Sequence, residues 1–562
     1  MRRLTFPILL LVLAVSSSVA QEPTASEPID QDINAKIRAE VSANSQVMSL
    51  LHQLTDVHGP RLTGSPNLEN AGKWAIATME GWGLTNGTLE PWNWNHEGWL
   101  NEEATGSIVS PVKDNLVFEV EAWSPSTNGT VTAPAIHLRV PTGPPGPGGV
   151  VPGPTEVELT TYLNELEPKI RGAIVLVGPT RVPAFVENES AKRQSEDALR
   201  ARFGGTPAPA RRGGGPGNAG GRGGGRGDAP ANEPVRLSGA QAYLRVHEFL
   251  LRNRAAIQVV DSYRRHGQIA AFSPGAMEGV PAANRYDSSK TIPTVMLRNE
   301  DFGRIARLVA DGLDVRLKFN IVNRTYPNGR TSYNTVAEIR GTDKADEVVM
   351  LGAHLDSWHS ATGATDNAIG CAIMMEAARV LQAIGAKPRR TIRVALWSGE
   401  EQGLLGSSAY VAQHFGTNET PKPEFAKLSA YWNIDNGTGR VRGMSVFGPP
   451  EAARVLSELM KPFEDLGFRG ALTTTARGGG GSDYASFNQA GLAGINAMQD
   501  PMEYTSHTWH TNLDTYERVV PDDAKANVIM TASLMYHLAT REALVPRLST
   551  EQMPAGRGGR GN

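Results

Sequence analysis

At 562 residues, with 40% hydrophobic residues, the chain is too long for one ordinary core and has the composition of a globular protein, which excludes fibrous and wholly disordered classes. Its 55 Lys+Arg against 58 Asp+Glu leave a formal net charge of -3, so nothing draws it in general to nucleic acid or to an anionic membrane surface. A single cysteine, Cys371, excludes an intrachain disulfide, and its neighbours Ile373, Met374 and Met375 mark it as a buried thiol in a helix, not a nucleophile.

The chain opens on Arg2 and Arg3, an apolar run from Phe6 to Val15, and the small residues Ser16, Ser17, Ser18, Val19 and Ala20. That order predicts a cleavable secretory signal over residues 1–20. The run is well short of the ~20 apolar residues a spanning helix needs. The expectation is a mature chain that starts near Gln21, has no membrane span, and is secreted or periplasmic. Residues 33–57 and 68–82 carry helical periodicity on either side of the turn-rich HGPRLTGSPN, and residues 21–120 read as the N-terminal helical part of a catalytic unit. From residue 121 short β-like runs such as AIHLRVP and RGAIVLVGPTR alternate with Pro/Gly turns to residue 322, which predicts a separate, mostly β insert. Inside it, the Gly/Arg-rich residues 204–233 carry too few apolar side chains to offset chain entropy, so a disordered loop without a nucleic-acid role is expected.

Residues 323–545 change character. Strand-like NTVAEIRG, VVML and TIRVALW alternate with helical patterns over 368–384 and 404–414, then a strand over 428–434, VRGMSVFG, a helix over 450–466, LAGINAM and a last helix over 522–544. This alternation predicts an α/β fold, a mixed sheet flanked by helices on both faces. The Arg/Gly-rich residues 546–562 read as a disordered tail.

Candidate chemistry concentrates in residues 348–407. His354 and Asp356 follow the apolar run VVML, and Glu400 and Glu401 follow TIRVALW, so two strands deliver imidazole and carboxylate groups to one edge, where open α/β sheets place their ligand crevice. Asp366 starts a helix in GATDNAIG, which suits it to bridge two ions. Asp435 ends the YWNID strand, and His510 lies in the polar turn TWHTNLDT. Singly each has a structural reading: turn or core histidines, a helix N-cap, a solvated acidic pair. Together, at strand ends of one sheet, they suit a two-metal hydrolytic site. One of the adjacent glutamates then binds metal while the other takes a proton from water.

The ordered set HLD, TDNAIG, SGEEQGLLGS, NID and WHTNLDT resembles the co-catalytic zinc exopeptidases, the family of carboxypeptidase Q, secreted leucine-type aminopeptidases and glutamate carboxypeptidase, with a phosphorylase/hydrolase-like fold. GAIVLVG is similar to the protease-associated domain that several members carry. The resemblance implies two zinc ions per chain, short peptide substrates, and an aminopeptidase or dipeptidase activity of the carboxypeptidase Q type. It implies that His354 and Asp435 hold one zinc, Glu401 and His510 the other, with Asp366 bridging and Glu400 as general base and acid. Asp356 matches the carboxylate that fixes the ligand histidine through its other ring N–H. It also implies a cis peptide after the bridging Asp366.

Two departures stand out. Many members place a tyrosine immediately before the last histidine as donor to the oxyanion; here that residue is Trp509. The arginines with which glutamate carboxypeptidase reads an acidic side chain have no counterpart in residues 494–498. Two rival readings share the scaffold. A glutaminyl cyclase is similar in its TDxA and WHT stretches but uses one zinc and lacks the insert. A non-catalytic binding protein has lost ligands that are all present here.

Overall fold

The computed structural model describes residues 27–144, 151–183, 190, 192–204, 234–273, 282–478 and 480–556. The signal expected at 1–20, residues 205–233 of the Gly/Arg-rich segment, and residues 557–562 lie outside the described residues. Among the described residues no helix is long and apolar enough to cross a membrane.

Helices Gln31–Asn44, Val47–His52 and Pro66–Gly81 lead into β1 (Thr85–Asn93). The chain then builds β2 (Gly98–Ser110), β3 (Asp114–Asn115), β4 (Phe118–Val120), β5 (Val131–Leu138), β6 (Ile174–Val177), β7 (Ile257–Asp261), β8 (Thr294–Leu297) and β9 (Arg316–Tyr326). It continues with β10 (Thr331–Ile339), β11 (Lys344–His354), β12 (Arg390–Trp397), β13 (Leu428–Asn433), β14 (Val441–Phe447), β15 (Ala471–Thr474) and β16 (Gly494–Gln499). One sheet has the order β1-β10-β12-β11-β13-β16-β14-β15, and β2 to β9 make the second sheet among themselves. The chain therefore leaves the first sheet after β1 and re-enters it at β10, where Asn93 pairs with Thr331.

The first sheet is mixed and its centre is parallel: β11 runs beside β12 and β13, and β13 beside β16. Side chains alternate across a strand, and here both faces are covered. Val349, Leu351 and Ala353 of β11 pack in one apolar cluster with helices Ile369–Ala383 and Pro521–Thr540. Val348 and Met350 pack on the other face with Trp397, Tyr410, Val411 and Phe487. Burial on both sides is why these strands read as continuous apolar runs, as parallel sheets require. In register, His354 lies opposite Trp397 and Gly352 opposite Asn433, so the carboxyl ends of β11, β12 and β13 open at one edge.

The inserted unit corrects two expectations. It was expected to be mostly β, but its strands β5, β6, β7 and β8 are parallel, helix Glu156–Ile170 lies between β5 and β6 and helix Gly239–Arg252 between β6 and β7, and helix Asn299–Ala310 follows β8. Parallel neighbours need a crossover, and helices supply it. The unit also runs wider than 121–322, because β2 and β9 pair from Gly98–Tyr326 to Ser110–Arg316. It returns to the catalytic sheet through residues 192–203. Arg193 reaches Asp500 at 3.1 Å and Asp523 at 2.8 Å, Glu196 pairs with Arg442, and the Phe203 ring lies against Gly443, where a Cβ would come within 2.2 Å of it.

The expected tail is also shorter than 546–562. Arg547 donates to the Phe425 carbonyl at 2.8 Å, and Pro554 accepts from Arg477 at 3.0 Å, so residues up to 556 lie along the catalytic unit.

Burial pushes the Glu119 carboxyl on β4 up to about 8, from an ordinary 4.5. The folded chain thus holds this proton more tightly than the unfolded one, and the stabilisation is complete below pH 4.5 and fades as pH rises toward 8. Glu119→Gln should therefore gain thermal stability over wild type progressively across that window, on the order of a few kcal/mol at its upper end. A difference in melting temperature that stays constant with pH would contradict this assignment.

Candidate metal centre

His354 ends β11, buried to 1% exposure. Its Nε2 lies 3.2 Å from Asp366 Oδ1 and 3.2 Å from Asp435 Oδ1. His510 Nε2 lies 3.1 Å from Asp366 Oδ2 and 2.9 Å from Glu401 Oε2. The two oxygens of Asp366 thus face different histidines, each of which has a second carboxylate. Ligand atoms of His354, Asp366 and Glu401, and of His354, Glu400 and Asp435, gather within 4.8 Å of one another in each trio. All six residues singled out from the sequence as ligands or base meet at one place.

The loop carrying Asp366 is fixed from both sides. Asp514 accepts the backbone N–H of Thr365 at 2.6 Å and of Asp366 at 3.0 Å. Thr365 donates to the Thr508 hydroxyl at 2.8 Å, tying this loop to the turn before His510. The Asp366–Asn367 peptide is cis, as the resemblance implies. Asp356 departs from expectation. The Nδ1 of His354 meets the backbone carbonyl of Asp356 at 2.9 Å, while the Asp356 carboxylate stands 3.8 Å away. That carboxylate instead accepts the backbone N–H groups of Glu400 at 3.2 Å and Glu401 at 3.3 Å, and the Thr63 hydroxyl at 3.1 Å. It holds the glutamate pair of β12 against the end of β11.

The donor set, two imidazoles and four carboxylates, suits zinc. Among the described residues no lysine or arginine pairs with Asp366, Glu400, Glu401 or Asp435, and buried Glu401 Oε1 has no hydrogen-bond partner. Comparison with known proteins agrees. Residues 334–535 match the model of peptidase family M28. Carboxypeptidase Q of Bos taurus is 27% identical over 510 residues, covering 90% of this chain and 88% of that protein. A peptidase M28 precursor from Shewanella amazonensis has the same fold, with a TM-score of 0.59 at 23% identity over 92% of this chain and 98% of its own.

Residues 334–535 form a domain of peptidase family M28. A zinc aminopeptidase from Bacillus subtilis shares the fold at a TM-score of 0.52 and 18% identity, over 88% of this chain and 95% of that one. Of the rival readings, neither the cyclase nor the non-catalytic scaffold is favoured: the matches run to M28 zinc exopeptidases of the carboxypeptidase Q type.

The electrostatics of the site follow from its crowding. Burial disfavours a charged His354, but the Asp435 and Glu400 carboxylates outweigh it and hold the imidazolium well above its ordinary range. His510 is pushed up to about 10 by Glu401 and Asp366, again against burial. Burial, with the charge of Asp366 adding and His510 opposing, pushes Glu401 up to about 7. Burial also raises Glu400 well above its usual value, opposed by His354 and reinforced by Asp435, Asp483 and Glu401. Cys371 is inert: its thiol donates to the His354 carbonyl at 3.1 Å and burial pushes it up to about 12.

Several site residues escaped the sequence reading. The insert sends Phe272 to the centre, with its ring 5.5 Å from that of His510, and Trp358 stands at 6.4 Å. Trp509, already singled out from the sequence, stacks on His510 at 4.0 Å. A crevice lined by Tyr484, Asn496, Tyr504 and Trp509 opens onto Asp366, Glu400, Glu401 and Asp435. Arg61, from the turn-rich link, is fully buried. Its guanidinium donates to the carbonyls of Leu355 at 2.7 Å, Leu54 at 2.8 Å, Thr362 at 2.9 Å, Gly59 at 3.0 Å and Gly363 at 3.1 Å. One side chain thereby joins the N-terminal helices to the end of β11 and to the Asp366 loop. The signal was an arginine among turn residues with no acidic neighbour in sequence.

Arg61→Met keeps the unbranched stem and strips the donors from these carbonyls. With about 1–3 kcal/mol for each buried polar group left unpaired, and partial relaxation, the loss should be on the order of 3 kcal/mol or more. Arg61→Lys should recover little of it, since one ammonium cannot span both loops. Denaturant unfolding of the three proteins checks this, and a Met variant as stable as wild type would show that the loops hold without the guanidinium.

Proposed function

We propose that this chain is a two-zinc exopeptidase of short peptides, acting as an aminopeptidase or dipeptidase, with His354 and Asp435 at one ion, Glu401 and His510 at the other, and Asp366 shared. The observation that carries this is the split of the Asp366 oxygens between the two histidines. Zinc bound there supplies Lewis acidity toward a peptide carbonyl and makes water more acidic. Glu400 has no side-chain hydrogen bond among the described residues, while its backbone is fixed by Asp356. It is free to take a proton from the attacking water and pass it to the leaving amine. Asp356 acts as a positioning residue for that base.

The crevice lining supports recognition of the amino end. No lysine or arginine lines it among the described residues, so a substrate carboxylate has no cation to meet there, whereas an α-ammonium fits the Glu400 and Asp435 side. The insert, of protease-associated type by its GAIVLVG stretch, walls the centre through Phe272 and restricts it to short chains. The segment 1–20 directs the chain to export.

Purified mature protein should carry two zinc ions per chain and lose activity to chelators. Glu400→Gln should keep its zinc and lose kcat by roughly 10²-fold or more, while Glu401→Gln should lose zinc. Elemental analysis beside dipeptide and aminoacyl-nitroanilide assays separates the cases. One zinc per chain with cyclisation of N-terminal glutamine would hand the site to the cyclase reading.

A further inference from the structure

The turn that leads to His510 is a wall between two spaces. Tyr504, Thr505 and Trp509 face the crevice at the metal centre, while Glu503, Ser506 and His507 face a second cleft of about 800 Å³, within the ~300–1,000 Å³ common for ligand pockets. The two sides differ in sign. The crevice is lined by carboxylates, whereas the cleft is lined by Lys192, Arg264, Arg265, His266 and His507, with Glu503 as the one carboxylate among its lining residues.

These cations stand in fixed places. In the insert loop that carries Arg264 and Arg265, Tyr263 and His266 have positive φ angles of 53° and 60°, a conformation that residues other than glycine adopt rarely. Asp261 accepts the Tyr263 N–H at 3.0 Å, Glu300 accepts the Gly267 N–H at 3.3 Å, and the Arg265 carbonyl accepts the Gln268 N–H at 3.2 Å. The loop is joined to the His510 turn by the exchange between Ile269 and Asn512, and the Lys192 carbonyl accepts the Met502 N–H at 3.0 Å. Among the described residues no carboxylate forms an ion pair with Lys192, Arg264 or Arg265. Burial alone acts on the half-buried Arg264, lowering its guanidinium from the ordinary value with no carboxylate opposing. Desolvated cations without counter-charges call for an anion.

The cleft is also within reach of the chemistry. His507 and His510 are three residues apart, so at most ~11 Å separates their Cα atoms, and an extended peptide advances ~3.3 Å per residue. Thr505 and Ser506, between the two spaces, are exposed, so a peptide can pass over them. We propose that the cleft binds the carboxylate of an aspartate or glutamate side chain about three residues beyond the scissile bond, so that the enzyme selects acidic peptides among those longer than dipeptides. This rests on the peptidase reading above. Acidity is then read by the insert, away from the reacting carbonyl, and not by residues 494–498.

The pentapeptides Leu-Ala-Gly-Glu-Gly and Leu-Ala-Gly-Gln-Gly differ at the read position by charge alone. The expected result is a KM roughly 10-fold lower for the glutamate peptide at equal kcat, with the gap shrinking as salt is added and persisting when both peptides are amidated at the carboxyl end. In Arg264→Gln/Arg265→Gln the two peptides should have equal KM, while dipeptide turnover, zinc content and melting temperature stay near wild type. Arg264→Lys, which keeps the charge, should retain most of the gap. Equal KM values in wild type would overturn the proposal, as would a gap that survives in the double variant. A gap that vanishes on amidation would overturn it too, because the chain end is then the ligand. Should the double variant fold poorly, Lys192→Gln, from a separate stretch, must narrow the gap, and an unchanged gap would count against the cleft. A wild type that cleaves dipeptides but neither pentapeptide removes this inference alone, whereas one that cleaves no peptide removes the peptidase reading with it.

Discussion

Four carboxylates and two imidazoles occupy one largely buried place, and nearly everything else about this chain serves to keep them there. Like charges at hydrogen-bond range repel strongly once water is excluded, and among the described residues no arginine or lysine compensates. The donor set suits zinc, and the scaffold must hold these side chains in position against their own repulsion. Three strands ending at one edge of a sheet covered on both faces supply the rigidity, because neither face has space into which a strand could shift.

The loops between those strands and the ligands are controlled by a few buried polar side chains. Asp356 uses its carboxylate to fix the backbone of Glu400 and Glu401. Asp514 does the same for Thr365 and Asp366, and burial with the neighbouring Asp366 charge pushes Asp514 up to about 7. Arg61 joins these loops to the N-terminal helices. Each acts through main-chain groups, so the ligand side chains stay free for their task, and each comes from a stretch distant in sequence from the one it holds.

The insert is a second mixed α/β unit that leaves and re-enters the catalytic sheet at neighbouring positions, yet it also reaches back twice. Residues 192–203 clamp onto Asp500, just ahead of the turn that carries His510, and onto Asp523 in the last helix. Ile269 and Asn512 exchange hydrogen bonds, at 2.8 and 2.9 Å, which brings Phe272 beside the imidazole of His510. The wall formed by the insert and the position of the His510 turn are thus linked through the same contacts.

The catalytic strands and helices were legible because parallel strands buried on two faces must be continuously apolar and their covering helices amphipathic. The candidate ligands were legible because they lie at the ends of those strands or within four residues after them: His354, Glu400, Glu401 and Asp435 have positions dictated by local chain geometry. The helices of the insert were missed, since helix Gly239–Arg252 begins directly behind the Gly/Arg-rich stretch and Glu156–Ile170 carries Pro168 near its end, so composition hid the periodicity. Nothing local reveals that Arg61 is buried, that Asp356 serves the glutamate backbones in place of the His354 ring, or that Phe272 and Tyr504 face the ligands. The sequence by itself determined which groups could do the chemistry, because covalent neighbours fix which residues sit at a strand's end. Only the tertiary structure decided which distant side chains hold, wall and complete the site, because those contacts arise when loops from several parts of the chain, the insert among them, pack against one edge.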